Sequence, residues 1–132
     1  MLKTSLHVDK NISILVVDHL PMVRRMVRNC LRQLGFENVQ EAEDGSMALD
    51  KLGSDTFQLV ISDSDMPGMT PEDLISHLRS RVSNGAAPVL FIASGNQQSA
   101  ARVSGMGDQH TDFIVKPFTA HQIEEKLAKV LT

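Results

Sequence analysis

Asp18, Asp63, Asp65 and Lys116 are the residues of this 132-residue chain whose types and positions could do chemistry together. Asp18, Asp63 and Lys116 each stand at the end of a short apolar run, although the set spans nearly a hundred residues of sequence. Carboxylates gathered at one place repel unless a divalent cation or an ammonium group neutralises them, and hard oxygen ligands suit Mg²⁺ or a similar ion. The same arrangement could carry phosphoryl transfer to an aspartate oxygen, because metal and lysine would screen the charge on the incoming group. A single Asp at the end of a strand is ordinarily a turn or cap residue. The case therefore rests on the convergence of the whole set.

That convergence needs a scaffold. Apolar runs at 12–17, 57–62, 88–93 and 113–115 are dominated by Val, Ile, Leu and Phe without the strict alternation of a half-exposed strand, the pattern of parallel strands covered on both faces. A more polar strand at 38–43 makes five and suits a sheet edge. Between them lie stretches of helical length. One spans 21–34 and ends at Gly35, and a shorter one follows Asp44-Gly45 up to Leu52. Thr70-Pro71-Glu72-Asp73 starts a helix over 71–82, with an N-cap Thr, Pro at the first helical position and acids in the first turn. Thr119 to Gln122 matches a capping box, and Ile123, Leu127, Val130 and Leu131 continue the last helix. A segment at 96–106, hemmed by glycines, is expected to be a further helix, short or mobile. Regular βα alternation with short links predicts a doubly wound α/β domain: a five-stranded parallel sheet with helices on both faces. In such sheets ligands sit outside the carboxyl ends of the strands, which directs attention to Asp18-His19, Asp63-Ser64-Asp65, Ala93-Ser94 and Lys116.

Composition narrows the function classes. At 42% hydrophobic and 22% charged residues the chain resembles an ordinary globular domain, and its length suits one domain. A net charge of -3 gives no general basic surface for nucleic acid or membrane binding. No apolar stretch approaches the roughly 18 residues of a membrane span. The first ten residues lack the apolar core of a secretory signal, and the lone Cys30 can form neither an internal disulfide nor a zinc site, so a cytoplasmic location is expected. Cys30 shares a helical stripe with Val23, Val27, Leu31 and Leu34 and reads as a packed thiol.

Leu15-Val16-Val17-Asp18, Val60-Ile61-Ser62-Asp63 followed by Met66-Pro67, and Ile114-Val115-Lys116-Pro117-Phe118 together resemble the receiver domain of bacterial two-component response regulators. The resemblance runs from Ile12 to Leu131 and leaves residues 1–11 as an N-terminal extension of one domain, 1–132. Met22 to Asn29, Glu41 to Gly45 and Phe118 to Ala120 look in particular like the single-domain chemotaxis receivers of the CheY type. The resemblance implies a flavodoxin-like fold with strand order 2-1-3-4-5. It also implies a stand-alone response regulator in a phosphorelay, with Asp63 as phosphoacceptor, Lys116 contacting the phosphoryl group and joined to Pro117 by a cis bond, and Mg²⁺ held by acids beside the acceptor. A sensor histidine kinase or phosphotransfer protein would be the donor, and no independent enzyme activity is expected.

Several positions depart from the family pattern. The acid pair after the first strand is Asp18-His19, which replaces a direct carboxylate ligand by imidazole. That change should weaken Mg²⁺ and favour Mn²⁺ or Zn²⁺ in relative terms, with Asp18, Asp63 and Asp65 as the oxygen ligands and His19 either near the metal or turned away as a cap. The hydroxyl expected after the fourth strand falls on Ala93 or, one residue later, on Ser94, and the sequence leaves the register open. Phe113 keeps the ring of the switch aromatic without a hydroxyl. The resemblance and the exposed positions of the last helix make Phe113, Thr119, His121, Gln122 and Lys126 the expected face for an unidentified target. Arg24, Arg25 and Arg28 read either as a second partner patch or as a solvated helix face. His19 and Ala93 favour an alternative: a degenerate receiver that binds partners constitutively, independent of phosphorylation.

Overall fold

In the computed structural model, residues 8–81, 86–94, 101, 103 and 110–131 are described. They form β1 (Ile14–Val17), α1 (Pro21–Gln33), β2 (Val39–Ala42), α2 (Gly45–Ser54), β3 (Leu59–Asp63), α3 (Pro71–Arg79), β4 (Val89–Ala93), β5 (Thr111–Val115) and α4 (Ala120–Val130). The five strands make one parallel sheet in the order β2-β1-β3-β4-β5. Every residue of β1, β3 and β4 is buried, as continuous apolar runs require, whereas the outer strands β2 and β5 are partly exposed. The more polar 38–43 segment is indeed an edge.

Alternation along the inner strands divides the core in two. Ile14, Val16, Leu59, Ile61, Leu90 and Ile92 pack with Val27 and Leu31 of α1 and Ile123 and Leu127 of α4. Leu15, Val17, Val60, Val89 and Phe91 face Ala48 and Leu52 of α2 and Leu74 and Leu78 of α3. Cys30 is half-buried against the first of these clusters.

The helix starts follow the sequence signals. Thr70 Oγ1 accepts from the Asp73 N–H at 3.0 Å while Asp73 Oδ2 accepts from the Thr70 N–H at 3.1 Å. Thr119 and Gln122 make the same reciprocal pair, and Asp44 caps α2 through the Met47 N–H at 2.8 Å. Gly45 lies so close to Met69 that an added Cβ would sit 2.9 Å from the Met69 Cβ.

Some boundaries differ from expectation for identifiable reasons. Helix α3 stops at Arg79, whose guanidinium donates to the Ala87 carbonyl at 2.7 Å as the chain turns toward β4. Strand β1 begins at Ile14 because Ser13 and Asn11 are held by side chains, Ser13 N–H by Gln58 and the Asn11 carbonyl by Asn38. Strand β5 starts two residues early, at Thr111, because polar Thr111 and Asp112 pair with Val89 and Leu90. Most of the expected 96–106 helix lies outside the described residues.

Candidate functional site

The carboxyl ends of β1, β3 and β5 deliver the site. Asp18 extends the β1–β2 ladder by one hydrogen bond, its N–H donating to the Ala42 carbonyl at 3.1 Å. Its side chain is fully buried. Oδ1 accepts from the Leu20 N–H at 2.9 Å, which closes the turn into α1, whereas Oδ2 is buried with no hydrogen-bond partner. Asp63 is the last residue of β3 and also buried. Its Oδ1 accepts from the Asp65 N–H at 3.0 Å, which leaves Oδ2 turned toward His19, whose Nδ1 stands 3.4 Å away. The same nitrogen is 3.8 Å from Asp18 Oδ1. Lys116 follows β5: its N–H bonds the Ala93 carbonyl at 3.0 Å, its bond to Pro117 is cis, and its Nζ reaches within 3.9 Å of Asp18 Oδ2.

Burial pushes the Asp18 carboxyl above the usual carboxylate range, and the negative charge of Asp63 adds to that push. The Leu20 N–H, Lys116 and His19 oppose it without cancelling it. An orphaned, buried carboxylate oxygen of this kind is stabilised by a cation. Asp18, His19 and Asp63 present ligand atoms that all lie within 4.8 Å of one another, so their donor set fits a divalent metal.

The structure thus brings together Asp18, Asp63 and Lys116, and adds His19. Asp65 contributes its backbone N–H to Asp63, but its side chain is exposed and its carboxylate is not in the Asp18–His19–Asp63 group. At the end of β4 the last paired residue is Ala93, fully buried opposite Val115, and Ser94 follows it, half-buried.

Phe113 belongs elsewhere. It packs against the α2–α3 side of the sheet with Lys126 Nζ 5.4 Å from its ring centroid. Beside it, Asp112 holds both Lys126 and Lys129 at 3.3 Å and accepts from the Phe113 N–H at 2.7 Å. Sequence reasoning passed over Asp112, although two lysines three apart on one helix called for a counter-charge. Of the expected docking residues, Thr119 and Gln122 spend their side chains on the α4 cap, and His121 is exposed near Glu124 and Glu125. The basic face of α1 is neither a free patch nor simply solvated. Arg24 and Arg28 pair with Glu41 of β2 at 3.0 and 2.8 Å, Arg24 also bonds the Asp18 carbonyl, and Arg25 alone of the three stays exposed.

A buried acid pair and a lysine at the rim of a 2-1-3-4-5 parallel sheet define a receiver-type signalling domain. Residues 14–128 match the response regulator receiver domain, and the chain belongs to that family. It is 42% identical over 125 residues to the chemotaxis protein CheY-3 of Vibrio cholerae, covering 92% of this chain and 93% of that protein. Identity to the chemotaxis protein CheY of Pseudomonas aeruginosa is 39% over 120 residues, covering 89% and 94%. The high-resolution structure of the chemotaxis response regulator CheY4 of Vibrio cholerae superposes with a TM-score of 0.77 at 28% identity, covering 91% of this chain and 98% of that one. A crystal structure from Chloroflexus aurantiacus, at 24% identity and a TM-score of 0.80, shares the fold. Among the described residues, no helix is long and apolar enough to cross a membrane.

Proposed function

We propose that the chain is a stand-alone cytoplasmic response regulator that accepts a phosphoryl group on Asp63 and signals by phosphorylation-dependent protein binding. The observation that carries this reading is the geometry of Asp63: a buried carboxylate, one oxygen tied to the Asp65 N–H and the other open toward His19, beside Asp18 and Lys116. Asp63 Oδ2 attacks the phosphorus of a phosphohistidine on a sensor kinase or phosphotransfer protein. The O–P bond forms as the N–P bond breaks, and the imidazole of the donor leaves with the electron pair. Asp18 and Asp63 would hold Mg²⁺ or Mn²⁺, which when bound neutralises the developing phosphoryl charge. Lys116 supplies a second positive charge from the opposite edge of the site. Asp65 fixes the orientation of Asp63 through its backbone N–H. Ser94 is the nearest hydroxyl past β4 to follow the phosphoryl group. Phe113 with Lys126 and α4 forms the output face for a target protein. The domain then acts as a signalling module, without turnover of a separate substrate.

A second reading is a degenerate receiver that binds its partners in one state. Two observations favour it: His19 crowds the open oxygen of Asp63 at 3.4 Å, and Ala93 places a methyl group where the ladder of β4 ends. Incubation with a small-molecule phosphodonor and Mg²⁺ or Mn²⁺, followed by intact mass, separates the two. The first reading expects a single phosphoryl adduct that is lost in Asp63→Asn; no adduct with either ion supports the second.

A further inference from the structure

We infer that His19 Nδ1 is itself a metal ligand and that it turns the rim group from a Mg²⁺ site into one that prefers a transition-series divalent ion. This rests on the reading of that group as the metal-assisted phosphoacceptor site and specifies the metal it takes. In a coordination shell with bonds of about 2.1 Å, neighbouring ligand atoms stand about 3.0–3.4 Å apart. His19 Nδ1 already lies one such edge, 3.4 Å, from Asp63 Oδ2 and 3.8 Å from Asp18 Oδ1, and the ligand atoms of the three residues all lie within 4.8 Å of one another, so a small contraction brings them round one ion. Asp18 Oδ2, buried and without a hydrogen-bond partner, is a second, independent sign that the group takes a cation. The histidine side chain is 43% exposed, which leaves a route for the ion to enter.

The chemistry of the donors sets the preference. Mg²⁺ takes oxygen and gives up water reluctantly, so exchanging a carboxylate for an imidazole removes one negative charge and offers a donor it uses poorly. Zn²⁺ bonds imidazole and carboxylate alike at about 2.0–2.2 Å, and Mn²⁺ keeps the two carboxylates while tolerating nitrogen. Asp65, with its exposed side chain outside the group, does not restore an all-oxygen set. The expected order is therefore Zn²⁺ first, then Mn²⁺, with Mg²⁺ last.

Calorimetric titration of the full chain with MgCl₂, MnCl₂ and ZnCl₂ at fixed pH tests this in wild type, His19→Asp and His19→Ala, with unfolding curves to confirm that each variant folds. Zn²⁺ affinity should fall at least tenfold in His19→Ala, and His19→Asp should bind Mg²⁺ at least tenfold more tightly than wild type. A ¹⁵N spectrum of the imidazole should show a Zn²⁺-dependent shift at Nδ1 of His19. Zn²⁺ affinity unchanged in His19→Ala, an unmoved Nδ1 resonance, or equal Mg²⁺ affinity in wild type and His19→Asp would overturn the inference. The phosphorylation reading fails separately, by the absence of an adduct on Asp63 in the metal-loaded protein, and leaves these affinities untouched.

Discussion

Replacing Asp112 by Asn should destabilise the domain near neutral pH and do so less and less as the solution is acidified. Asp112 holds Lys126 and Lys129, each at 3.3 Å, between β5 and α4. Coulomb attraction at that distance would reach about 5 kcal/mol per pair at an effective dielectric of 20. Solvent decides otherwise, because the Lys129 side chain is 71% exposed and that of Lys126 is 32% exposed. Pairs in that setting contribute a few tenths to about 1 kcal/mol each, so about 1 kcal/mol is expected for both together. For a domain of this size that is a fall in Tm of about 4 °C. Asn keeps an acceptor for the Phe113 N–H, so the change isolates the charge. Burial pushes the Asp112 carboxyl upward, but the Phe113 N–H and the two lysines outweigh it and hold the group below its ordinary value. A carboxyl lowered in the folded state stabilises above its unfolded value and loses that contribution as pH falls through the folded one. The gap between wild type and Asp112→Asn should therefore close in acid, and 1 M salt at neutral pH should narrow it too. Urea unfolding followed by circular dichroism is the assay, since the chain has no Trp or Tyr. Equal stabilities at neutral pH, or a gap that persists undiminished below the carboxylate range, would refute the ion-pair account.

Lys116→Ala should leave the fold intact and slow formation of the Asp63 adduct by the loss of about 2–4 kcal/mol of preorganised charge, read as the time course of intact mass; an unaltered rate would remove Lys116 from the chemistry. Gly45→Ala should lower the unfolding temperature even though Ala is the better helix former by about 1 kcal/mol, because the new Cβ meets the Met69 Cβ at 2.9 Å and overpacking costs about 1–3 kcal/mol. A raised Tm would show that the α2 start can shift at no cost.

The scaffold could be read from the chain because its signals are local and strong. Uninterrupted runs such as 14–17 and 89–93 state a strand buried on both faces, and the Thr119–Gln122 box states a helix start. What escaped were relations between residues far apart in sequence. Asp112 sits in the polar opening of β5, where no apolar pattern marks a strand, and its lysine partners lie 14 and 17 residues on. The basic stripe of α1 gave no sign of its partner, because only the β1–β2 pairing brings Glu41 beneath Arg24 and Arg28. Within the site, the strand-end rule located Asp18, Asp63 and Lys116. The reading that added Asp65 to them as a third oxygen ligand went beyond that rule, and the structure groups His19 with Asp18 and Asp63 instead, because the neighbour depends on which way two loops turn their side chains.

Strand β5 is bordered by β4 alone, whereas β1 and β3 are gripped from both sides. Movement of an inner strand would sever two ladders; movement of β5 strains one, and edge elements open at lower free energy than central ones. The same strand leads directly into Lys116 and carries Phe113 three residues earlier, about 10 Å away along an extended backbone. The Asp112 clasp to Lys126 and Lys129 ties this edge strand to α4, so the strand that ends at Lys116 is braced by a carboxylate that stands outside the rim group.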